Sequence, residues 1–355
     1  MKPKYHILKE QIVRRIREGV YPPGKLIPSE AEFSAEFTFS RNTVRQALKE
    51  LETEGYLFRK RGKGTIVTET NSSTSRKIAL FLYDNTDIRH SMTTEMITGL
   101  MAELDKAGYL LDILLSPRSY EDSNLSELAE KYTGFVIGTN HLDARTVASL
   151  DKLSIPFIFV KNYLPMRNDP GIRINFRKAG FLTAEHLHEC GCKSLGIVYP
   201  GRGIPIASEF FNGVCASALE HGMFLRQEHI FETGNYVSDQ VLEAGRKLAT
   251  MKNRPDAVIT AADKTAIQLL KIFNESGIRV PDDIMLTGCN DTSGMAKMTV
   301  PPLTTVAMPM REAGKTAAVS LLEMLRGKKV ETAVLDPSLS IRGTTRRIHT
   351  EFHNE

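Results

Sequence analysis

The sequence predicts two folds in one chain: a small α+β winged helix-turn-helix head, followed by a larger α/β module of two lobes. Three observations predict it. An amphipathic helix starting at Ser40 carries a basic face and is followed by a basic hairpin. The positive charge sits in the first fifth of the chain: residues 1–70 hold 14 Lys+Arg against 9 Asp+Glu, and residues 71–355 hold 32 against 33. From residue 78 onward, apolar runs of strand length alternate with helix-length patterns. At 355 residues the chain exceeds one typical domain.

The head is expected over residues 1–68. An amphipathic helix from about His6 to Glu18 turns Ile7, Leu8, Ile12, Val13 and Ile16 inward, and Gly19, Pro22-Pro23-Gly24 and Pro28 close it. Ser29-Glu30-Ala31-Glu32 is a capping-box start for a short helix burying Phe33 and Phe37. Ser40 reads as the N-cap of the next helix, whose Val44, Ala47, Leu48 and Leu51 recur at i, i+3, i+4 and i+7. Its opposite face stacks Arg41, Arg45 and Lys49, with Asn42 and Gln46 beside them. Cations on one face repel, so they suit a polyanion better than plain solvent, and the amides can read base edges in a major groove. Gly55 ends the helix, and strands Tyr56–Phe58 and Thr65–Val67 flank the basic turn Arg59-Lys60-Arg61-Gly62-Lys63-Gly64. The run Gly62-Lys63-Gly64-Thr65 is not a phosphate-binding P-loop, because the upstream Gly and the long helix after it are missing.

Residues 69–77 hold a polar run without apolar side chains, Glu69 to Ser75, and read as a flexible tether. The α/β module is expected over 78–345, with a polar tail at 346–355. Its strands are Ile78–Tyr83, Leu110–Leu115, Gly134–Ile137, Phe157–Val160, Leu195–Tyr199, Ala257–Thr260 and Ile284–Gly288. Helix patterns between them include Met92–Ala107, Arg177–Glu189, Ala207–His221 and Lys264–Ser276. Strands joined by crossover helices mean parallel sheets, and the length calls for two lobes with a ligand cleft off the carboxyl ends of the strands. By that topology Tyr83, Asp84, Asn140, Asn162, Phe210, Tyr236, Asp263 and Asn290 line the cleft. Asp263 has a second reading as the cap of the helix at Lys264, and Phe210 as core.

The head resembles the N-terminal domain of the GntR family of bacterial transcription regulators. The matching residues are Pro28-Ser29-Glu30, Ser40-Arg41-x-Thr43-Val44-Arg45-x-Ala47-Leu48, Leu51-x-x-Glu54-Gly55 and Gly62-x-Gly64-Thr65-x-Val67. The resemblance implies a homodimer on a palindromic double-stranded DNA operator, with Arg41 and Arg45 in the major groove. It implies a wing, Lys60 to Gly64, at the minor groove, and contacts from Lys4, Tyr5, Ser29, Glu30, Ser40 and Thr43. The larger module resembles the effector core of LacI-type regulators and periplasmic sugar-binding proteins. The residues that carry this are Lys178-Ala179-Gly180, Ala184-x-His186-Leu187, Pro255-Asp256-Ala257-Val258, Pro301-Pro302-Leu303-Thr304-Thr305-Val306 and Ile341-Arg342-Gly343-Thr344. It implies a two-lobed, periplasmic-binding-protein-like fold with a sugar effector. The pairing of head and core is similar to the arabinose-repressor subfamily. Three positions depart from the sugar-binding pattern: Phe210 replaces an Arg, Ala262 an Asn and Asn290 an Asp. An Arg fork and an Asp are usual clamps for vicinal hydroxyls, so their loss implies a different pose or a different ligand.

The remaining patterns exclude other classes. No apolar run approaches the roughly 18 residues of a membrane span, and the start at Met1-Lys2-Pro3-Lys4 is no signal peptide, so a cytoplasmic protein is expected. Four Cys without framework spacing fit a reducing compartment. His186, His188, Cys190 and Cys192 cannot converge on one ion from a helix ending at Gly191, so no metal is expected. No hydrolase elbow, dinucleotide fingerprint or catalytic carboxylate pair is evident, so neither enzyme nor cofactor is expected. The expectation is a sugar-released repressor of carbohydrate-utilisation genes, with arabinose or another pentose as effector. The alternative is a cytoplasmic sugar sensor whose head does not act on an operator.

Overall fold

Leu8, Ile12 and Ile16 recur along α1 (Lys4–Arg17) and are buried; Ile7, expected inward, lies one position off that stripe and is 39% exposed. In this computed structural model the described residues are 3–17, 19–53, 56–60, 63–67, 76–82, 91–115, 122–138, 148–150, 152–153, 155–160, 170–292 and 294–346. The chain divides into one unit of Met1–Ile78 with Ser126–Thr133 and another of Ala79–Leu125 with Gly134–Glu355. In the first, α2 (Glu30–Phe37) opens on a full capping box: Ser29 Oγ accepts from the Glu32 amide, and the Glu32 carboxylate accepts from the Ser29 amide at 2.7 Å. The turn at Thr38 is left-handed, with φ 57°. Next comes α3 (Arg41–Thr53), which packs Val44, Ala47, Leu48 and Leu51 into the core shared with α1 and Phe33. Strands β1 (Leu57–Lys60) and β2 (Gly64–Val67) pair antiparallel, Leu57 opposite Val67 and Lys60 opposite Gly64. Gly55, the expected helix stop, lies outside the described residues.

The core runs through β3 (Lys77–Leu82), α4 (Ser91–Lys106), β4 (Leu110–Leu115), α5 (Asp122–Lys131), β5 (Gly134–Ile137), β6 (Phe157–Val160), β7 (Gly171–Ile174) and α6 (Phe176–Glu189). It continues as β8 (Ser194–Tyr199), α7 (Pro205–Glu220), β9 (Phe224–Glu232), α8 (Asp239–Thr250), β10 (Ala257–Thr260), α9 (Asp263–Glu275) and β11 (Met285–Asn290). It ends in α10 (Met295–Met298), β12 (Thr304–Ala307), α11 (Met310–Leu325), β13 (Ala333–Leu335) and β14 (Ser338–Ser340). Two six-stranded sheets result, in the orders β13-β7-β6-β5-β3-β4 and β14-β12-β11-β10-β8-β9. Every residue of β5 and β10 is buried, as strands covered on both faces must be.

The chain crosses between lobes after β7, after β12 and after β13. The first and last crossings are tied together: Asn175 and Lys178 both donate to the Asp336 carboxylate, at 3.0 and 2.6 Å. Each long crossing carries a helix that packs on the first helix of the lobe it enters, α6 on α7 and α11 on α4. At both packings glycines bring backbone against backbone. A methyl on Gly180 would overlap the Phe210 carbonyl, and one on Gly213 the Arg177 carbonyl. A methyl on Gly99 would overlap the Arg311 carbonyl, and one on Gly314 the Met96 carbonyl. The sequence carries this repeat as Arg177-Lys178-Ala179-Gly180 against Arg311-Glu312-Ala313-Gly314, and Glu209-x-x-x-Gly213 against Glu95-x-x-x-Gly99. Strand and helix patterning did not reveal it, because the spacings within each lobe differ around it.

Candidate nucleic-acid interface and effector cleft

On α3, the Ser40 hydroxyl lies 3.3 Å from the Thr43 amide and 2.8 Å from the Thr43 hydroxyl, so the expected N-cap forms. Burying Val44, Ala47, Leu48 and Leu51 leaves Arg41, Asn42, Arg45, Gln46 and Lys49 exposed on the opposite side. Arg45 does not stand alone there. Its Nε and Nη2 donate to Glu30 Oε2 at 3.2 and 3.1 Å, from α3 to the first residue of α2. Arg59 of β1 donates to the other Glu30 oxygen at 2.8 Å and also pairs with Glu52 at 3.2 Å. The Arg45 guanidinium, with Arg59 behind it, holds the Glu30 carboxyl below its usual range. One carboxylate thus joins α2, α3 and the wing strand. Arg59 was missed as a site residue; in the sequence it was one cation among several in a turn.

The other expected head residues take separate places. Lys4 holds its ammonium 5.8 Å from the Phe39 ring, and Tyr5 stacks on His6 at 4.5 Å. Ser29 serves the capping box. Lys60, Lys63 and Gly64 are exposed on the wing, where Gly64 has φ +104° and Leu26 Cδ2 would stand 3.0 Å from a Cβ. Arg61 and Gly62 lie outside the described residues, as do Tyr83, Asp84, Asn140 and Asn162 of the expected cleft.

Between the lobes, at the carboxyl ends of β10 and β11, lies a small cavity. Its wall takes Phe210, Tyr236 and Asn290 from the expected set, and adds Met92, Phe176, Ile206, Ala207, Ala261 and Cys289. Phe210 is 1% exposed in the core and also stands on the cavity wall. Met92 and Ile206 occupy equivalent positions of the repeated first helices, four residues before Met96 and Phe210. The repeat was the signal that would have found them. Asn290 and Asp291 hold positive φ, 125° and 49°, outside the ordinary strand region. Just beyond them, the buried Thr292 hydroxyl donates to Ser91 Oγ at 2.5 Å, joining the end of β11 in one lobe to the start of α4 in the other.

Asp263 corrects both of its readings. It is not among the residues of the cavity wall, and it does not cap its helix: it is the first residue of α9, whose N-cap is Ala262 without a side-chain bond. Its carboxylate turns inward, accepting from the Thr305 hydroxyl at 2.5 Å and the Asp291 amide at 2.8 Å. Asp291 in turn pairs with Arg342 at 2.6 Å, and Arg342 also donates to the Leu303 carbonyl at 2.8 Å. The motifs Pro301–Val306 and Ile341–Thr344 therefore meet at one buried network behind the cavity. Burial, opposed by the Thr305 and Asp291 bonds, pushes the Asp263 carboxyl up to about 7 from its ordinary 3.8. Below pH 4 it is protonated whether folded or not, and its contribution is full; as pH rises toward 7 the unfolded chain ionises first, and that contribution is lost. Asp263→Asn is expected to flatten the fall in core stability between pH 4 and 7, a fall of about 3–4 kcal/mol at most. Thermal melts of both proteins across that range check it.

The four His and Cys do not meet at one point, although Cys190 Sγ lies 3.6 Å from His186 Nε2. His186 is buried with Nε2 2.9 Å from Thr345 Oγ1, Cys192 is buried, and His188 stacks on His221 at 4.4 Å. Among the described residues no three His, Cys, Asp or Glu gather as metal ligands, and no helix is long and apolar enough to cross a membrane.

Residues 4–67 match the family model of the bacterial regulatory proteins of the gntR family, and residues 184–345 match that of a periplasmic binding protein-like domain. The chain joins a GntR-family head to a periplasmic binding protein-like core. An arabinose metabolism transcriptional repressor of Geobacillus stearothermophilus is 28% identical over 98% of each chain. An HTH-type transcriptional repressor PurR of Vibrio vulnificus is 28% identical over 78% of this chain and 83% of its own. Among solved structures, a transcriptional regulator CelR–cellobiose complex superposes with a TM-score of 0.67 at 22% identity, over 86% of this chain and 90% of its own. That likeness shows the two-lobed fold. A GntR-type head and a periplasmic binding protein-like core are therefore both present in one chain.

Proposed function

We propose that this regulator is a cytoplasmic, non-enzymatic homodimer that represses carbohydrate-utilisation genes and leaves its palindromic operator when a small sugar, arabinose or another pentose, enters the cleft. The observation that carries this reading is the presence in one chain of an exposed α3 face, Arg41, Asn42, Arg45 and Gln46, and a small enclosed cavity in the core. In the proposed contact, Arg41 and Arg45 read guanine edges from the major groove, with Asn42 and Gln46 beside them. Lys4, Tyr5, Ser40, Thr43 and the wing residues Lys60, Lys63 and Gly64 hold phosphate and set the register. Glu30 orients Arg45. The effector changes the spacing of the two heads in the dimer, and a coupling of about 1–3 kcal/mol suffices for a five- to 150-fold change in operator affinity.

Footprinting on the DNA upstream of the protein's own gene, with and without pentoses, tests the reading. A protected palindrome that fades with a sugar supports it; no protection under any condition sinks it. Lys63→Ala is expected to weaken binding to all DNA sequences alike and to reduce the slope of log affinity against log salt by about 1. Titrations at several salt concentrations check it.

A further inference from the structure

We propose that Arg59, on the first strand of the wing, is a positioning residue for DNA recognition: through Glu30 it fixes the direction in which Arg45 leaves α3. This rests on Arg45 as the base-contacting residue proposed above, and it names the group that aims that contact. Four charged side chains alternate in sign along a row: Arg45 of α3, Glu30 of α2, Arg59 of β1 and Glu52, again of α3. Arg59 spans the middle of the row. Its Nη2 donates to Glu30 Oε1 at 2.8 Å, and its Nε lies 3.2 Å from Glu52 Oε1. Arg45 takes the other Glu30 oxygen, with Nη2 at 3.1 Å and Nε at 3.2 Å. Arg45 Nη1 has no hydrogen bond to any described residue, so that side of the guanidinium is left for a base edge.

Glu30 alone is a poor guide for Arg45. The last torsion of a glutamate is broad, so a carboxylate held at one oxygen turns, and a guanidinium resting on it turns with it. With Arg59 on Oε1 and Arg45 on Oε2, the carboxylate is held at both ends. Arg59 is restrained in its turn. Its backbone sits in the hairpin opposite Thr65, and Glu52 holds the Nε end of its fork. Glu52 lies seven residues after Arg45, two turns along the same face of α3, so the wing strand grips the helix at two points. The signs cancel along the row, so as a unit it adds no net attraction to phosphate; what it supplies is direction. Arg45 and Arg59 have side chains 60% and 48% exposed, and ion pairs at such exposure add little to stability. Loss of the row is therefore felt in DNA affinity rather than in melting temperature.

The test is a double-mutant cycle of Arg45→Ala and Arg59→Met in the full chain. Affinity is measured by fluorescence anisotropy on a duplex that the unaltered protein selects from a random library, and on a scrambled duplex of the same composition. Arg59→Met is expected to weaken the selected duplex about three- to tenfold, the cost of ordering one long side chain at the contact. Affinity for the scrambled duplex, the identity of the preferred bases, the salt dependence and the melting temperature are expected to stay unchanged. In the Arg45→Ala background, Arg59→Met is expected to have no further effect. Glu52→Gln keeps Arg59 but loosens its other anchor, and is expected to give a smaller loss of the same kind. Equal loss on both duplexes, with the slope of log affinity against log salt reduced by about 1, makes Arg59 a phosphate contact and overturns the proposal. A loss that persists in the Arg45→Ala background overturns it as well. Should Arg59→Met not fold, Glu52→Gln decides: unchanged or tighter binding of both duplexes overturns the proposal. Undiminished binding of the selected duplex by Arg45→Ala sinks the base contact and the positioning together. Weakened binding by Arg45→Ala with none by Arg59→Met keeps the base contact and sinks the positioning alone.

Discussion

Arg45→Ala is expected to weaken specific operator binding by five- to 150-fold, about 1–3 kcal/mol, and to relax preference at one base pair. In the free protein its guanidinium rests on Glu30 through Nε and Nη2, leaving a fork edge on an exposed residue of α3. A bidentate fork can then meet guanine O6 and N7 without first being ordered, since the carboxylate has already fixed its direction. Truncation removes the base contact and also strips Glu30 of its first partner, leaving Arg59 to hold the carboxylate. A second variant separates these effects. Glu30→Gln retains a hydrogen-bond acceptor but not the charge, so it should reduce affinity less than Arg45→Ala and leave the base preference in place. Gel-shift titrations on operators substituted at each position measure both. Unchanged specificity in Arg45→Ala would move the reading face elsewhere on α3.

Gly180→Ala is expected to destabilise the core by about 1–3 kcal/mol despite the roughly 1 kcal/mol that alanine gains over glycine inside a helix. The added methyl would occupy the space of the Phe210 carbonyl oxygen, so α6 and α7 must move apart along their crossing. Backbone is what stands in the way, and no rotamer change relieves it. Phe210 is itself on the cavity wall, so the same change should loosen effector binding. Gly314→Ala is the matched control. It forces α11 away from α4 at the Met96 carbonyl; α4 gives the cavity wall Met92, whereas α6 and α7 give it Phe176, Ile206, Ala207 and Phe210. Comparable loss of core stability in both variants, with effector affinity lowered mainly in Gly180→Ala, is the expected pattern in calorimetric melts with and without ligand. Undiminished stability in either would mean that the crossing has room to spread.

Much of this architecture was legible in the residues. Strands Leu110–Leu115, Gly134–Ile137, Phe157–Val160 and Ala257–Thr260 fall where the apolar runs place them. Local stereochemistry decides such elements: strand residues alternate, helix residues recur at three and four, and Ser29 with Glu32 closes a box four residues long. What escaped had weaker local signals. Strand β9 (Phe224–Glu232) lies at a sheet edge and mixes Arg226, Glu228 and His229 among apolar residues, so it lacks the continuous run of a buried strand. Strand β12 hides within a Pro-Pro-Leu-Thr-Thr run that reads as a turn until Thr304 and Thr305 are seen buried.

By itself the sequence determined the exposed basic face of α3, the segregation of positive charge into the head, and the alternation that forces parallel sheets. These follow from spacing along one chain. Only the tertiary structure decided where side chains converge. Glu30 meets Arg59 across 29 residues, and Asp263 meets Thr305 across 42. The cavity wall gathers Met92, Phe176, Phe210, Tyr236 and Asn290 from five separate segments. Asp263 shows the reason. Beside Lys264 in the sequence it looks like a helix cap, but in the fold β12 brings Thr305 against it and the turn after β11 brings the Asp291 amide. Local spacing fixes which face a residue occupies; the sheet order fixes what that face meets.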